Sequence, residues 1–120
     1  MGLTQRIGQY GESAAAEYLR RKGYIILSQN YRCKFGEVDI IALSPDKCTV
    51  FVEVKTRENT DYGYPSQFVT YKKQNKLRKT ALCYTRTDQI YMRFDIVEVL
   101  YKRENNKIMV AGVKHIENAF

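Results

Sequence analysis

The chain has 120 residues, 44% of them hydrophobic and 28% charged, which suits one compact domain over residues 1–120 and excludes a disordered chain. No apolar run comes near the roughly 20 residues that cross a bilayer, and the opening MGLTQRIGQYGE lacks the apolar stretch of a signal peptide. A soluble, cytoplasmic protein without a membrane partner is the expectation. The formal net charge of +7 points to anionic partners, nucleic acid above all, although a charge of this size also fits ordinary solubility.

The first periodic segment runs from Thr4 to Lys22. Leu3, Ile7, Tyr10, Ala14 and Tyr18 recur at helical steps, Thr4 is placed to cap the start, and Gly23 follows the basic pair Arg21 and Lys22 as at a helix end. Three strand-like runs come next: Tyr24 to Tyr31, Glu37 to Leu43 introduced by Gly36, and Thr49 to Thr56 after the turn Ser44-Pro45-Asp46-Lys47. Their short connections predict an antiparallel meander. Arg57 to Pro65 loses periodicity and reads as a loop. Ser66 to Arg86 returns to helical spacing, with Val69, Leu77, Ala81 and Tyr84 on one face. Ile90 to Tyr101 is a long strand, Arg103-Glu104-Asn105-Asn106 a turn, and Lys107 to Val113 a last strand. The strand–helix–strand path demands a parallel crossover. The sum is an α/β protein with a mixed five-stranded sheet flanked by helices.

Cys33, Cys48 and Cys83 are scattered without a CxxC pair, and His115 is the single histidine. That argues against zinc, which needs clustered N and S ligands. A metal here would be a hard ion held by carboxylates.

The second strand reads Gly36-Glu37-Val38-Asp39-Ile40-Ile41-Ala42 and the third Val50-Phe51-Val52-Glu53-Val54-Lys55-Thr56. Alternation puts Glu53 and Lys55 on one face, about 7 Å apart at Cα. Asp39 sits among apolar neighbours, where a carboxylate is costly unless compensated, and the short turn brings it beside Glu53. Two carboxylates this close repel, and a divalent cation resolves the conflict. The ion would be Mg²⁺ (or Mn²⁺), able to polarise a phosphoryl oxygen and supply hydroxide; Lys55 is placed to act on the attacking water or on the developing charge. The plainer reading is a salt-bridged strand pair on an exposed sheet face. Glu12 lies on the small-residue side of the first helix, with Gly8 and Ala15 allowing close approach to the sheet, so it could add a ligand; the plainer reading is a solvated helix charge.

Gly-x-x-Gly-Glu-x-x-Ala at 8–15 with Tyr18-Leu19, Asn30-Tyr31-Arg32, Gly36 to Ala42, Phe51 to Arg57 and Arg93-Phe94-Asp95-Ile96-Val97 together resemble the YraN-like bacterial family, over almost the whole chain and in the same order. That family is similar to the archaeal-type Holliday junction resolvases, within the PD-(D/E)xK nuclease superfamily. The resemblance implies a restriction-endonuclease-like fold. It implies metal binding by Asp39, Glu53 and the backbone carbonyl of Val54, with Glu12 as the helix-borne acid and Lys55 as the catalytic lysine. The superfamily's proline before the first acid is absent; Val38 stands there. Resolvases work as two-fold dimers, so the analogy extends to a homodimer.

The second helix carries Lys72, Lys73, Lys76, Arg78 and Lys79. Most of these suit a solvated face, but Lys73 falls four residues after Val69 and four before Leu77, on the apolar stripe. A lysine there must snorkel or meet an acid or a phosphate, which aims it at the catalytic face. Gln74 matches the helix glutamine of some superfamily nucleases. Arg57, Lys72, Lys73 and Lys76 are the candidate nucleic-acid contacts, and Tyr62, Tyr64 and Tyr71 could stack on unpaired bases. Arg93 and Asp95 share a strand face in a structural role. The leading expectation is a Mg²⁺-dependent, structure-selective endonuclease acting on branched or irregular DNA. The rivals are a non-catalytic nucleic-acid-binding module on the same fold, and an adaptor whose basic face meets acidic protein.

Overall fold

The first helix begins one residue earlier than its periodicity predicts. In a computed structural model, which describes residues 2–59 and 69–120 and of Thr4 the backbone alone, helix α1 spans Leu3–Arg21 with Gly2 as its N-cap. The cap expected from the Thr4 side chain lies outside the described atoms. Gln5 folds back instead, its Oε1 accepting the Gly2 N–H at 3.4 Å. Gly23 closes the helix in the left-handed region at φ +88°, its N–H donating to the Arg20 carbonyl at 3.0 Å, as its place after two basic residues foretold.

Five strands and a second helix follow: β1 Ile25–Cys33, β2 Gly36–Leu43, β3 Thr49–Glu58, α2 Tyr71–Thr85, β4 Met92–Glu104 and β5 Lys107–Ile116. The sheet order is β1-β2-β3-β4-β5. All neighbours pair antiparallel except β3 and β4, which are parallel and joined through α2. The tight turn between β4 and β5 has Asn105 at φ +50° and Asn106 at φ +62°, the pair of left-handed residues that a two-residue hairpin of matching twist requires and that asparagine tolerates. This is the mixed five-stranded α/β sheet flanked by helices that the restriction-endonuclease-like expectation describes.

Several boundaries differ from the sequence reading: β1 reaches Cys33 rather than Tyr31, β4 runs Met92–Glu104 and so takes in Arg103 and Glu104, read as turn, and β5 continues to Ile116. Arg57 belongs to a strand rather than a loop: β3 stays paired with β4 as far as Glu58 opposite Tyr101. Helix α2 begins at Tyr71 rather than Ser66, because Thr70 is extended (φ −62°, ψ 153°) and its side chain accepts the Lys73 N–H at 3.2 Å. Ser66, and Tyr62 and Tyr64 with it, lie outside the described residues.

The helices cover opposite sheet faces. On one, Ala15, Ala16 and Leu19 of α1 pack with Ile40, Ala42, Val50, Val52, Val97 and Val99. On the other, Leu77 and Ala81 of α2 pack with Val38, Ile41, Phe51 and Phe94. The close approach expected at Gly8 is made at Gly11: a Cβ built there would fall 1.9 Å from Thr56 Oγ1, whereas Gly8 has no described atom within 4 Å. Glycine at position 11 therefore seats α1 directly on the strand that carries Glu53 and Lys55. No helix among the described residues is long and apolar enough to cross a membrane.

Candidate active site

The site is built where β2 and β3 part. Their ladder runs from Leu43 opposite Thr49 to Ile40 opposite Val52 and ends there. At the same point β2 changes face: Ile40 packs under α1, but Val38, two residues away, packs under α2. Across from this break Asn30 adopts φ +55°, the αL conformation that asparagine tolerates better than most residues. Asp39 sits in the break. Its Oδ2 accepts the Val54 N–H at 2.8 Å, taking the place of a ladder carbonyl. In strand geometry a residue's N–H and C=O leave on the same side, so the Val54 carbonyl is directed to the Asp39 side as well.

Beside Asp39 lies Glu53, 9% exposed. Burial first, and the Glu53 charge second, push the Asp39 carboxyl up from 3.8 to about 7; the Val54 bond opposes the shift, and Glu12 adds to it from a greater remove. Two lysines answer the negative charge. Lys73 Nζ donates to Glu53 Oε1 at 2.6 Å, and Lys55 Nζ stands 4.0 Å from the same oxygen. Burial, and then the neighbouring Lys73 charge, hold Lys55 below the usual lysine range. Lys73 goes the other way: burial works against its charge, but the bond to Glu53, the Glu53 charge and the smaller contributions of Lys55 and Asp39 together outweigh it and raise the group.

Asp39, Glu53, Lys55 and Lys73 are thus brought together with the backbone of Val54. Glu12 stands apart from this group. It lines a separate hollow of about 410 Å³ with Gly8, Asn30 and Arg32, and it reaches Asp39 through its field alone. Among the described residues no three His, Cys, Asp or Glu side chains gather closely enough to enclose a metal ion. The Asp39–Glu53 pair with the Val54 carbonyl is nevertheless an all-oxygen set in which two carboxylates crowd each other, which fits a hard divalent cation completed by water.

Lys72, Lys73 and Lys76 line a groove of about 430 Å³ between α2 and the start of β2, together with Gly36, Glu37, Thr70 and Leu77. Tyr71, at the head of α2, is 75% exposed. Gln74 does not face the acids: its Nε2 donates to the Val69 carbonyl at 2.9 Å, tying down the entry to the helix.

Arg57 pairs with Glu98 of β4 at 3.3 Å, and its Nε is buried without a hydrogen-bond partner among the described residues. Sequence reasoning missed Glu98, which is 2% exposed and lies beside Lys55 in the β3–β4 register. The signal was there, an acid inside the apolar run Val97-Glu98-Val99, the same cue that marked Asp39.

A second charged cluster sits under the α1 face. Arg93 donates twice to Asp95, at 2.8 and 2.9 Å, and once to Tyr24 Oη at 2.7 Å. His115 Nε2 lies 2.7 Å from Asp95 Oδ2, Lys22 Nζ lies 3.1 Å from His115 Nδ1, and the Asn118 N–H donates to Asp95 at 2.9 Å. Every acceptor position of Asp95 is spoken for, consistent with the structural role read from its strand face.

A mixed sheet with a parallel β3–β4 pair, acids at the fork of two strands and a lysine two residues along define a restriction-endonuclease-like domain of the PD-(D/E)xK pattern. The model of the family described as Uncharacterised protein family UPF0102 matches residues 11–99. A UPF0102 protein of Clostridium botulinum (strain Loch Maree / Type A3) is 48% identical over 118 residues, covering 95% of this chain and 93% of its own. Another, from Clostridium acetobutylicum, is 44% identical over 121 residues, covering 98% and 96%. The chain belongs to the UPF0102 family, the YraN-like group that its motifs resemble.

Proposed function

We propose that the protein is a Mg²⁺-dependent nuclease acting on DNA, selective for branched or otherwise irregular substrates. The observation that carries this reading is the pairing of half-buried Asp39 with buried Glu53 at the fork of β2 and β3, served by two lysines and opening beside a lysine-lined groove. A structural ion pair has no need of a second acid held beside the first; a metal seat does, and burial together with that crowding pushes the Asp39 carboxyl up to about 7.

Asp39, Glu53 and the Val54 carbonyl would hold the ion. When bound, it supplies Lewis acidity to the phosphoryl group and lowers the pKa of a coordinated water. Lys55, held below the usual lysine range by burial and by Lys73, is suited to exchange a proton with the attacking water at its Nζ. Lys73, with Lys72 and Lys76, offsets phosphate charge along the groove. Glu12 acts as a distant charge unless α1 or its side chain shifts inward. By analogy with the resolvases, the working form is a homodimer that places two such sites on one junction.

One observation favours a second reading. Lys73 already neutralises Glu53, as it would in a binding module that has given up its ion. The test is cleavage of labelled duplex, single-stranded, flapped, nicked and four-way-junction DNA in Mg²⁺ and in Mn²⁺. Cleavage of one class, abolished by chelation, supports the nuclease. Tight binding to all of them with no product supports the module.

A further inference from the structure

Lys73 stands between two places where an ammonium is wanted. At one, its Nζ lies 2.6 Å from Glu53 Oε1 in the acid pair. At the other, its side chain, 43% exposed, lines the groove with Lys72 and Lys76. Its backbone is fixed by the bond from its N–H to Thr70 Oγ1, so a move between the two needs only rotation of the four-carbon stem.

A divalent cation seated between Asp39 and Glu53 would put two positive charges beside that ammonium. Like charges a few ångströms apart repel strongly in a partly buried site, so ion and Lys73 compete for Glu53. A phosphate in the groove pulls Lys73 the other way. Resting on the nuclease reading only for the nature of the ion and the polynucleotide, we propose that Lys73 is a transferable counterion. It closes the acid pair in the free protein and moves to a backbone phosphate when a polynucleotide enters, so that ion binding and polynucleotide binding favour each other. Linkage makes the coupling reciprocal. Lys76 lines the same groove, but the cations paired with Glu53 are Lys55 and Lys73, so Lys76 has no part in the exchange.

The experiment measures Mn²⁺ affinity of the full chain by titration calorimetry, with and without a phosphorothioate duplex that resists cleavage, for wild type, Lys73→Met and Lys76→Met. The expected result is Mn²⁺ binding about tenfold tighter in Lys73→Met than in wild type without DNA, a typical coupling. The duplex should tighten Mn²⁺ binding by a similar factor in wild type and not in Lys73→Met. Lys76→Met should weaken duplex binding and leave Mn²⁺ affinity unchanged. Lys73→Gln repeats the test should the methionine variant fail to fold. Equal or weaker Mn²⁺ binding in Lys73→Met, or coupling that survives the substitution, overturns the proposal. Absence of Mn²⁺ binding in every protein, with and without duplex, overturns it together with the metal seat. Coupling as expected but no cleavage of any substrate leaves Lys73 in this role and removes the nuclease reading alone.

Discussion

The carboxylate of Asp39 accepts the Val54 amide at 2.8 Å, filling the gap left where β2 and β3 stop pairing. This bond keeps the strand edge satisfied, and it also draws a carboxyl into a buried place beside Glu53. The bond itself favours the charged carboxylate, but burial and the Glu53 charge outweigh it and make the site costly in the absence of a cation.

That cost is measurable as a pH effect. Asp39 titrates near 7 in the folded chain against an ordinary 3.8. Below about 4 the group is protonated in both folded and unfolded chains, and no penalty arises. Between about 4 and 7 the unfolded chain gives up its proton first, so stability falls as pH rises; above 7 the full penalty is present, at most about 4 kcal/mol. Asp39→Asn should abolish that slope and raise Tm at pH 8 by several degrees in chelator-treated protein. Melting curves from pH 4 to 8 decide it, and a variant no more stable than wild type at pH 8 contradicts the assignment.

The seat of α1 rests on a missing side chain. Gly11→Ala drives a methyl into Thr56, and overpacking of this kind costs about 1–3 kcal/mol. Thr56→Ala in the same chain should recover part of the loss. Denaturant unfolding of the two single variants and the double variant gives the coupling, and simple additivity would contradict direct contact.

Asp95 is fully buried and opposite Val52, on the α1 side of the sheet. Its bonds to His115, Arg93 and Asn118 overcome burial and hold its carboxyl below the usual range, so it adds stability at neutral pH that is lost as pH falls through the lowered value. Asp95→Asn, which leaves Arg93 without its charge partner, should destabilise the fold by about 3 kcal/mol while nucleic-acid affinity, measured where the variant is folded, stays put. A change in affinity with unchanged stability would place Asp95 in the site.

The groove lysines make a different prediction. Lys72→Ala and Lys76→Ala should each weaken DNA binding and reduce the slope of log affinity against log salt by about 0.9, with Tm unchanged. Fluorescence anisotropy at several salt concentrations measures both effects. An unaltered slope would mean that the groove does not meet phosphate.

Much of this was readable in residue order. Each strand announced itself by apolar runs between turn residues, and Asp39 and Glu53 stood out as acids inside such runs. Lys73 stood out as a lysine on an apolar stripe, and that is the lysine found on Glu53. What stayed hidden depends on contacts between distant segments. Arg57 looked like loop because its strand pairing is with Leu100 of β4, far along the chain. Gly8 and Gly11 are equivalent in sequence, and only the position of Thr56 tells them apart. Glu12 has the right helix and spacing, but the distance from α1 to the fork of β2 and β3 is set by packing, which no local pattern encodes.

The most direct test is single-turnover cleavage of a four-way junction in Mg²⁺ by wild type, Glu53→Ala and Lys55→Ala, with junction binding followed in parallel. The account predicts product from wild type, none from either variant, and binding by Glu53→Ala at least as tight as wild type, since a buried negative charge near phosphate has gone. Equal cleavage by all three proteins would contradict it, and so would tight junction binding by wild type with no product.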